Sequence, residues 1–232
     1  MADSAAPQQG SVTVVSGPTA VGKGTVCARL RDVRPDVFLS VSATTRPPRP
    51  GEVDGVHYHF LDDAEFDRLI ETGQMLEWAV VHQVARYGTP RGPVAEAVRA
   101  GRQVLLEIDL QGARQIARSW PDAVLVFLMP PSWDEMVRRL VGRGTEDAEE
   151  RTRRLDTARE EMRAVDEFDH VVVNDTVGQA VDDLIDLMGL PALPDDSAHR
   201  LVPPDEPRAR PTTNSRTTNS KTTNSKTTST SD

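Results

Sequence analysis

Val12-Thr13-Val14-Val15-Ser16-Gly17-Pro18-Thr19-Ala20-Val21-Gly22-Lys23-Gly24-Thr25 is the stretch that decides the fold. A β-branched run leads into a Gly-rich loop, and Val26, Leu30 and Val33 then recur at helical spacing. In a strand–loop–helix context the glycines let backbone N–H groups turn inward toward phosphate oxygens. The helix N-terminus adds its partial positive charge. The choice of basic residue points the same way. Among 27 Lys and Arg only Lys23, Lys221 and Lys226 are lysines, and residues 11–190 carry 20 arginines beside Lys23. Arg is a broad planar fork, whereas Lys is a compact charge on a thin stem that enters a tight backbone loop. The stretch therefore reads as a nucleoside triphosphate site made of Gly17, Pro18, Thr19, Ala20, Val21, Gly22, Lys23, Gly24 and Thr25. Lys23 would bridge the β- and γ-phosphates of ATP. Such loops usually continue Lys-Ser/Thr; here Gly24 stands in that place, so the hydroxyl that normally reaches Mg²⁺ is missing.

The length of 232 residues suits one domain of about 180 residues with tails. A formal charge of −9 disfavours nucleic acid as the main partner, so an anionic substrate needs a local cluster of arginines. Cys27 is the only cysteine, which excludes an intramolecular disulfide and a Cys-rich zinc site. No run approaches the roughly 18 apolar residues of a membrane span, and no secretion signal is legible. The expectation is a cytoplasmic protein without a membrane partner; its oligomeric state stays open.

Short β-branched runs at residues 11–16, 38–42, 104–108, 123–129 and 170–173 alternate with helical patterns, the mark of a parallel α/β sheet. Two stretches interrupt it. Residues 44–90, with strands near 57–60 and 75–80 and a helix near 64–71, form a small mixed arm. Residues 137–161, rich in Arg and Glu, suit a helical lid or a solvated helix pair. Residues 1–10 are expected to be disordered, with the domain running from 11 to 190. Residues 191–232, a Pro-spaced linker followed by Thr-Thr-Asn-Ser-Arg/Lys repeats, lack the apolar content to fold.

Val104-Leu105-Leu106-Glu107-Ile108-Asp109 is an apolar strand ending in acids, and strand alternation would put Glu107 and Asp109 on one face. At a strand end facing a ligand crevice they are candidates to hold Mg²⁺ through water or to grip a substrate. Capping of a helix from Leu110 is the plain alternative. Tyr58 and Tyr87, the only tyrosines, both fall in the arm, and Arg46 and Arg49 flank the stiff pair Pro47-Pro48. Two guanidinium groups and two phenols make a cradle for a phosphomonoester.

Gly17–Thr25, Ser40-Val41-Ser42-Ala43-Thr44-Thr45-Arg46 with Pro48-Arg49-Pro50-Gly51-Glu52, Glu77-Trp78-Ala79, Tyr87-Gly88-Thr89, Glu107-Ile108-Asp109-Leu110-Gln111-Gly112 and Gly142-Arg143-Gly144-Thr145-Glu146 together resemble the guanylate kinases, in order, over about residues 11–188. The resemblance implies a P-loop nucleotide kinase of α/β class. Its five-stranded parallel core would be flanked by helices, with a GMP-binding arm (about 44–90) and a helical lid (about 137–161). It implies transfer of the γ-phosphoryl of ATP, with Mg²⁺, to GMP or dGMP. Arg46, Arg49, Tyr58 and Tyr87 would hold the GMP phosphate, and Ser42, Glu77, Thr89 and Asp109 would line the guanine pocket. Arg139, Arg143 and Arg154 would act with Lys23 on the transferring phosphates, and Asn174 with Arg143 would lie near adenine. Glu150 and Arg151 stand where the family usually has apolar residues. A non-catalytic module of the same fold would lack the need for Lys23 with Arg46 and Arg49. A P-loop kinase of phosphorylated sugars would lack the need for Ser42 and Glu77 at a purine edge.

Overall fold

The structure, a computed structural model, describes residues 10–81, 85–141 and 148–193, with the side chains of 141 and 148–151 excepted. β1 (Val12–Ser16) is buried at every residue, as a strand covered on both faces must be. The loop then delivers α1 (Lys23–Val33), which buries Val26, Cys27 and Leu30. After β2 (Phe38–Leu39) the chain builds the arm from β3 (Ala43–Thr44), β4 (His59–Phe60), α2 (Asp63–Glu71), β5 (Met75–Val81) and β6 (Ala85–Pro90). Alternation resumes with α3 (Arg91–Arg99), β7 (Val104–Glu107), α4 (Leu110–Ser119) and β8 (Val124–Met129). The helices α5 (Trp133–Val141) and α6 (Ala148–Arg163) follow, and then a 3₁₀ turn (Ala164–Glu167), β9 (His170–Val173) and α7 (Val177–Leu187).

The main sheet has the order β2-β7-β1-β8-β9 and every pairing in it is parallel. With β1 central, its loop leaves from the carboxyl edge between β7 and β8, where open α/β sheets bind ligands. Val15 sits opposite Glu107 and Ser16 opposite Phe127, so the register sets the Glu107 carboxylate beside the start of the loop. One face packs Val15, Leu105, Val126 and Leu128 against α1 and α7; the other packs Val12, Val14, Leu106 and Leu125 against α3 and α4. Cys27 lies in the first cluster, and burial pushes its thiol up, away from reactivity.

The arm is a separate mixed sheet of order β4-β3-β6-β5. Hydrogen bonds from α4 help fasten it to the core. Gln115 on α4 donates to the Trp78 carbonyl (2.7 Å) and accepts from the Trp78 amide (3.2 Å), while Ser119 Oγ donates to Leu76 O (3.0 Å). Gln115 thus acts like one more residue of the β-ladder.

The five expected core strands are present with trimmed ends. The strand expected over 38–42 stops at Leu39: Ser40 N still bonds Leu105 O, but the chain then crosses into the arm as β3. The C-terminal boundary also moves. Leu190 and Leu193 both pack on the α1–α7 cluster, and the Pro191 carbonyl accepts from Arg34 Nη1 (2.7 Å), so the folded chain reaches at least Leu193. Among the described residues no helix is long and apolar enough to cross a membrane.

A chain ending at Leu193 should melt with the full-length protein, whereas one ending at Leu190 should melt a few degrees lower. The loss of a packed Leu and a guanidinium–carbonyl bond is worth about 1–2 kcal/mol. Differential scanning calorimetry of both truncations measures this, and equal melting would show that residues 191–193 contribute nothing.

Candidate active site

The loop between β1 and α1 is held by groups from several other elements. Gly17 takes φ +148°, and a Cβ there would fall 2.2 Å from the Leu128 carbonyl, so only glycine lets the chain pass β8. Ala20 adopts φ +65°, a left-handed conformation that alanine seldom takes, and its methyl packs on the α5–α6 apolar cluster of Trp133, Met136, Leu140 and Ala158. The Val21 carbonyl accepts from Asn174 Nδ2 (2.8 Å) and from Arg139 Nη1 (3.2 Å). The helices α2, α4 and α7 are capped by the side chains of Asp62, Asp109 and Thr176, but α1 starts at Lys23 with no side-chain cap. Its first-turn N–H groups and helix dipole remain free for an anion.

Lys23 folds back over this loop, donating from Nζ to Gly17 O (2.7 Å) and Pro18 O (3.3 Å). Its desolvation lowers the ammonium below the ordinary lysine range; Glu161, Glu107 and Asp109 oppose that with their charge. Glu107 lies across from Gly24, with Oε1 only 3.4 Å from where a Cβ at 24 would stand. Desolvation holds the Glu107 carboxyl above its usual range, and Lys23 pulls it back. A side chain at 24 would thus meet the Glu107 carboxylate at van der Waals distance, a hard oxygen donor of the kind Mg²⁺ accepts. No group of three or more potential ligands converges among the described residues, so such an ion needs the nucleotide's phosphates to complete its shell.

Asp109 does not share a strand face with Glu107, since β7 ends at Glu107. The next turn of chain makes Asp109 the N-cap of α4, its Oδ1 accepting from Gly112 N (2.7 Å). From there its charge reaches both Lys23 and Glu77. Glu77 is 5% exposed and accepts from Thr89 Oγ1 (2.7 Å). Burial lifts its carboxyl to about 7, Thr89 draws it down and Asp109 raises it again. A Cβ on Gly112 would fall 2.7 Å from Glu77 Oε2 and 3.4 Å from Asp109 Oδ1, so the glycine is what admits the two carboxylates to one place. Ser42, beside β3, is half-buried, and its carbonyl accepts from His59 N (2.9 Å).

On the arm, Arg46 Nε donates to the Tyr87 hydroxyl (3.0 Å), and its guanidinium lies 5.4 Å from the Tyr58 ring centroid. Tyr58 and Tyr87 meet edge to face at 5.8 Å. Sequence reasoning brought these three together but gave Glu52 no role. Glu52 takes both Nη atoms of Arg46 at 2.9 Å, accepts from Arg49 N (2.7 Å), and is held down at about 2 chiefly by Arg46. The Arg49 residue itself is exposed. Burial raises the Tyr58 phenol, and the charges of Glu107 and Glu52 act in the same direction while Arg46 opposes them.

The lid side is placed only in part. Arg143 lies outside the described residues, and Arg154 is half-buried on α6. Arg139 is turned toward the back of the loop, bonded to Glu135 Oε1 (3.0 Å), Val21 O and Asn174 O (3.4 Å). Asn174 is 3% exposed and packs on Gly22, whose hypothetical Cβ would come 2.7 Å from Nδ2. Glu161, which no sequence pattern singled out, accepts from Thr19 N (2.7 Å).

A family model described as guanylate kinase matches residues 9–189. The guanylate kinase of Leifsonia xyli is 63% identical over 177 residues, covering 76% of this chain and 70% of that one. That of Thermobifida fusca is 59% identical over 181 residues, covering 78% and 92%. Among solved structures, guanylate kinase from Anaplasma phagocytophilum matches with TM-score 0.63 and 33% identity over 78% of this chain and 86% of that one.

A buried carboxyl at about 7 makes stability depend on pH. Between its unfolded value near 4.5 and about 7 the folded state holds a proton that the unfolded state releases, so stability falls as pH rises through this window. Glu77→Gln removes that loss. The ligand-free variant should gain on wild type at pH 8, by up to roughly 3 kcal/mol, and far less at pH 5. Urea melts at the two pH values measure it; a gain of equal size at both would mean that Glu77 is not titrating there.

Proposed function

The chain belongs to the guanylate kinase family, and we infer that it transfers the γ-phosphoryl group of ATP to GMP, giving ADP and GDP. We extend the acceptor to dGMP and the setting to purine nucleotide metabolism in the cytoplasm. The observation that supports the assignment of sites is that Glu107, at the end of β7, faces Gly24 of the donor loop, while Asp109, two residues on, caps α4 at Gly112, against which Glu77 of the arm packs. The two proposed binding places, differently built, would thus meet near the end of β7.

Phosphoryl transfer needs two anions held in line, their repulsion offset, and water kept away. The backbone N–H groups at the uncapped start of α1 would take the ATP phosphates, with Lys23 leaving Gly17 O and Pro18 O for the β- and γ-oxygens. Arg154 on α6 would add positive charge, a role proposed also for Arg143, which lies outside the described residues, while Arg139 and Asn174 would act by shaping the loop through Val21. Mg²⁺ bound with ATP would spread the charge of the transferring group, and Glu107, beside Gly24, is the carboxylate best placed to hold it, directly or through water. On the arm, Arg46, Tyr58 and Tyr87, with Arg49 from the exposed edge, would receive the GMP phosphate. Guanine offers two adjacent donors, N1–H and the 2-amino group, and the Glu77 carboxylate is an acceptor for both, with Thr89, Ser42 and Asp109 around it. Adenine would set a lone pair against that carboxylate in a desolvated place.

A coupled assay with ATP against GMP, AMP, CMP and a ribose bisphosphate tests the reaction; turnover with the sugar bisphosphate rather than GMP would overturn it. Lys23→Ala should abolish transfer without unfolding the chain, and Lys23→Arg should fare nearly as badly, because the planar fork does not fit the loop. Near-normal turnover by the arginine variant would remove Lys23 from the mechanism. Glu77→Gln should lower kcat/KM for GMP by about one to three powers of ten and that for AMP much less, the scale of a lost charged hydrogen bond. An unchanged GMP/AMP ratio would mean that Glu77 serves structure and not base choice.

A further inference from the structure

Three successive residues of the phosphate loop are tied to elements outside it. Thr19 N donates to Glu161 on α6, the Ala20 methyl packs on the α5–α6 cluster, and Val21 O accepts from Arg139 on α5 and Asn174 after β9. The middle residue holds φ +65° without being glycine, a conformation that persists only where the surroundings enforce it. Glu161 stands three residues after Ala158, on the helix face that carries the cluster and presses on Ala20. The 2.7 Å bond from Thr19 N is charge-assisted, the strong kind, and reaches across 142 residues of chain.

We propose that Glu161 is a positioning residue for the phosphate loop: it fixes Thr19, and through it the strained turn at Ala20, so that the loop keeps its anion-binding shape only while α6 is packed against it. ATP affinity then depends on a helix whose glutamate lies behind the loop. Its charge also favours the ammonium form of the desolvated Lys23. The role rests on the ATP site proposed above and adds to it a residue with a distinct signature. Glu161 should matter for the donor nucleotide and not for the acceptor, whose nook is built on the arm.

The test is direct binding by calorimetry of a non-hydrolysable ATP analogue with Mg²⁺, and separately of GMP, to wild type, Glu161→Ala and Glu161→Gln, each checked for folding by thermal melting. Glu161→Ala should weaken the analogue about ten- to a hundredfold, the scale of one charge-assisted hydrogen bond, and leave GMP within about twofold. Glu161→Gln, whose amide oxygen still accepts from Thr19 N, should stay within about threefold of wild type for both ligands. If the carboxylate instead occupied the place of a phosphate, both variants would bind the analogue more tightly, and that result overturns the proposal. Unchanged analogue binding by Glu161→Ala, or an equal loss of GMP, overturns it as well. A wild-type chain that binds GMP but not the analogue would overturn the ATP site and this role with it.

Discussion

A loop whose amides are to point at an anion can spend few of them on its own turns, and within this one Val21 N closes a turn on Pro18 O (3.3 Å). The rest of this structure answers that constraint. Gly17 slips under the Leu128 carbonyl, Lys23 ties down the carbonyls of Gly17 and Pro18, and Asn174 and Arg139 converge on Val21 O. The Ala20 methyl is pressed into an apolar cluster. The groups that supply these contacts come from β8, α5, α6 and the residue after β9, so the loop's shape is a property of the whole carboxyl edge of the sheet. A fully buried β1 between β7 and β8 makes that edge rigid.

The acceptor side meets the opposite problem. A base edge is to be read by a carboxylate, and a carboxylate taken out of water tends to keep its proton. Glu77 lies on the edge of that tendency: burial carries it to about 7, and the Thr89 hydroxyl opposes the shift. Two guanine donors would complete its solvation and return it to the ionised form. The proposed base discrimination and the pH dependence of stability would thus have one cause, the burial of Glu77.

The phosphate loop, the five core strands and the arm were legible because each follows from local spacing or composition: a β-branched run before Gly17, a single lysine among arginines, two tyrosines confined to one insertion. What was not legible depends on contacts between distant residues. Glu161 is one glutamate among many in an Arg- and Glu-rich helix, and only folding brings it 2.7 Å from Thr19 N. Glu52 stood in a recognised motif but was given no role, because its pairing with Arg46 forms only once the chain turns back through Pro47–Gly51. For Asp109 the sequence left two readings open, a face shared with Glu107 along β7 and the cap of a helix from Leu110, and the cap is the one that forms, because β7 ends at Glu107. The domain end at Leu190 was set by composition, which does not see that Leu193 finds a place on the core.

Glu52 also bears on how an acidic chain accepts an anion. A bare guanidinium between two phenols would be costly to desolvate, whereas paired with Glu52 it stands with its companion only 14% and 17% exposed. The pair is bidentate, the geometry in which Arg also takes a phosphate. Arg46 therefore has one partnered state without substrate, and its Nε bond to Tyr87 orients it independently of Glu52. A phosphomonoester entering the nook has only to share or replace a carboxylate already in the right plane, so most of the ordering of Arg46 is complete before binding. With a net charge of −9, attraction from a distance is weak, and a preorganised local cation is the way such a chain can still select a phosphate.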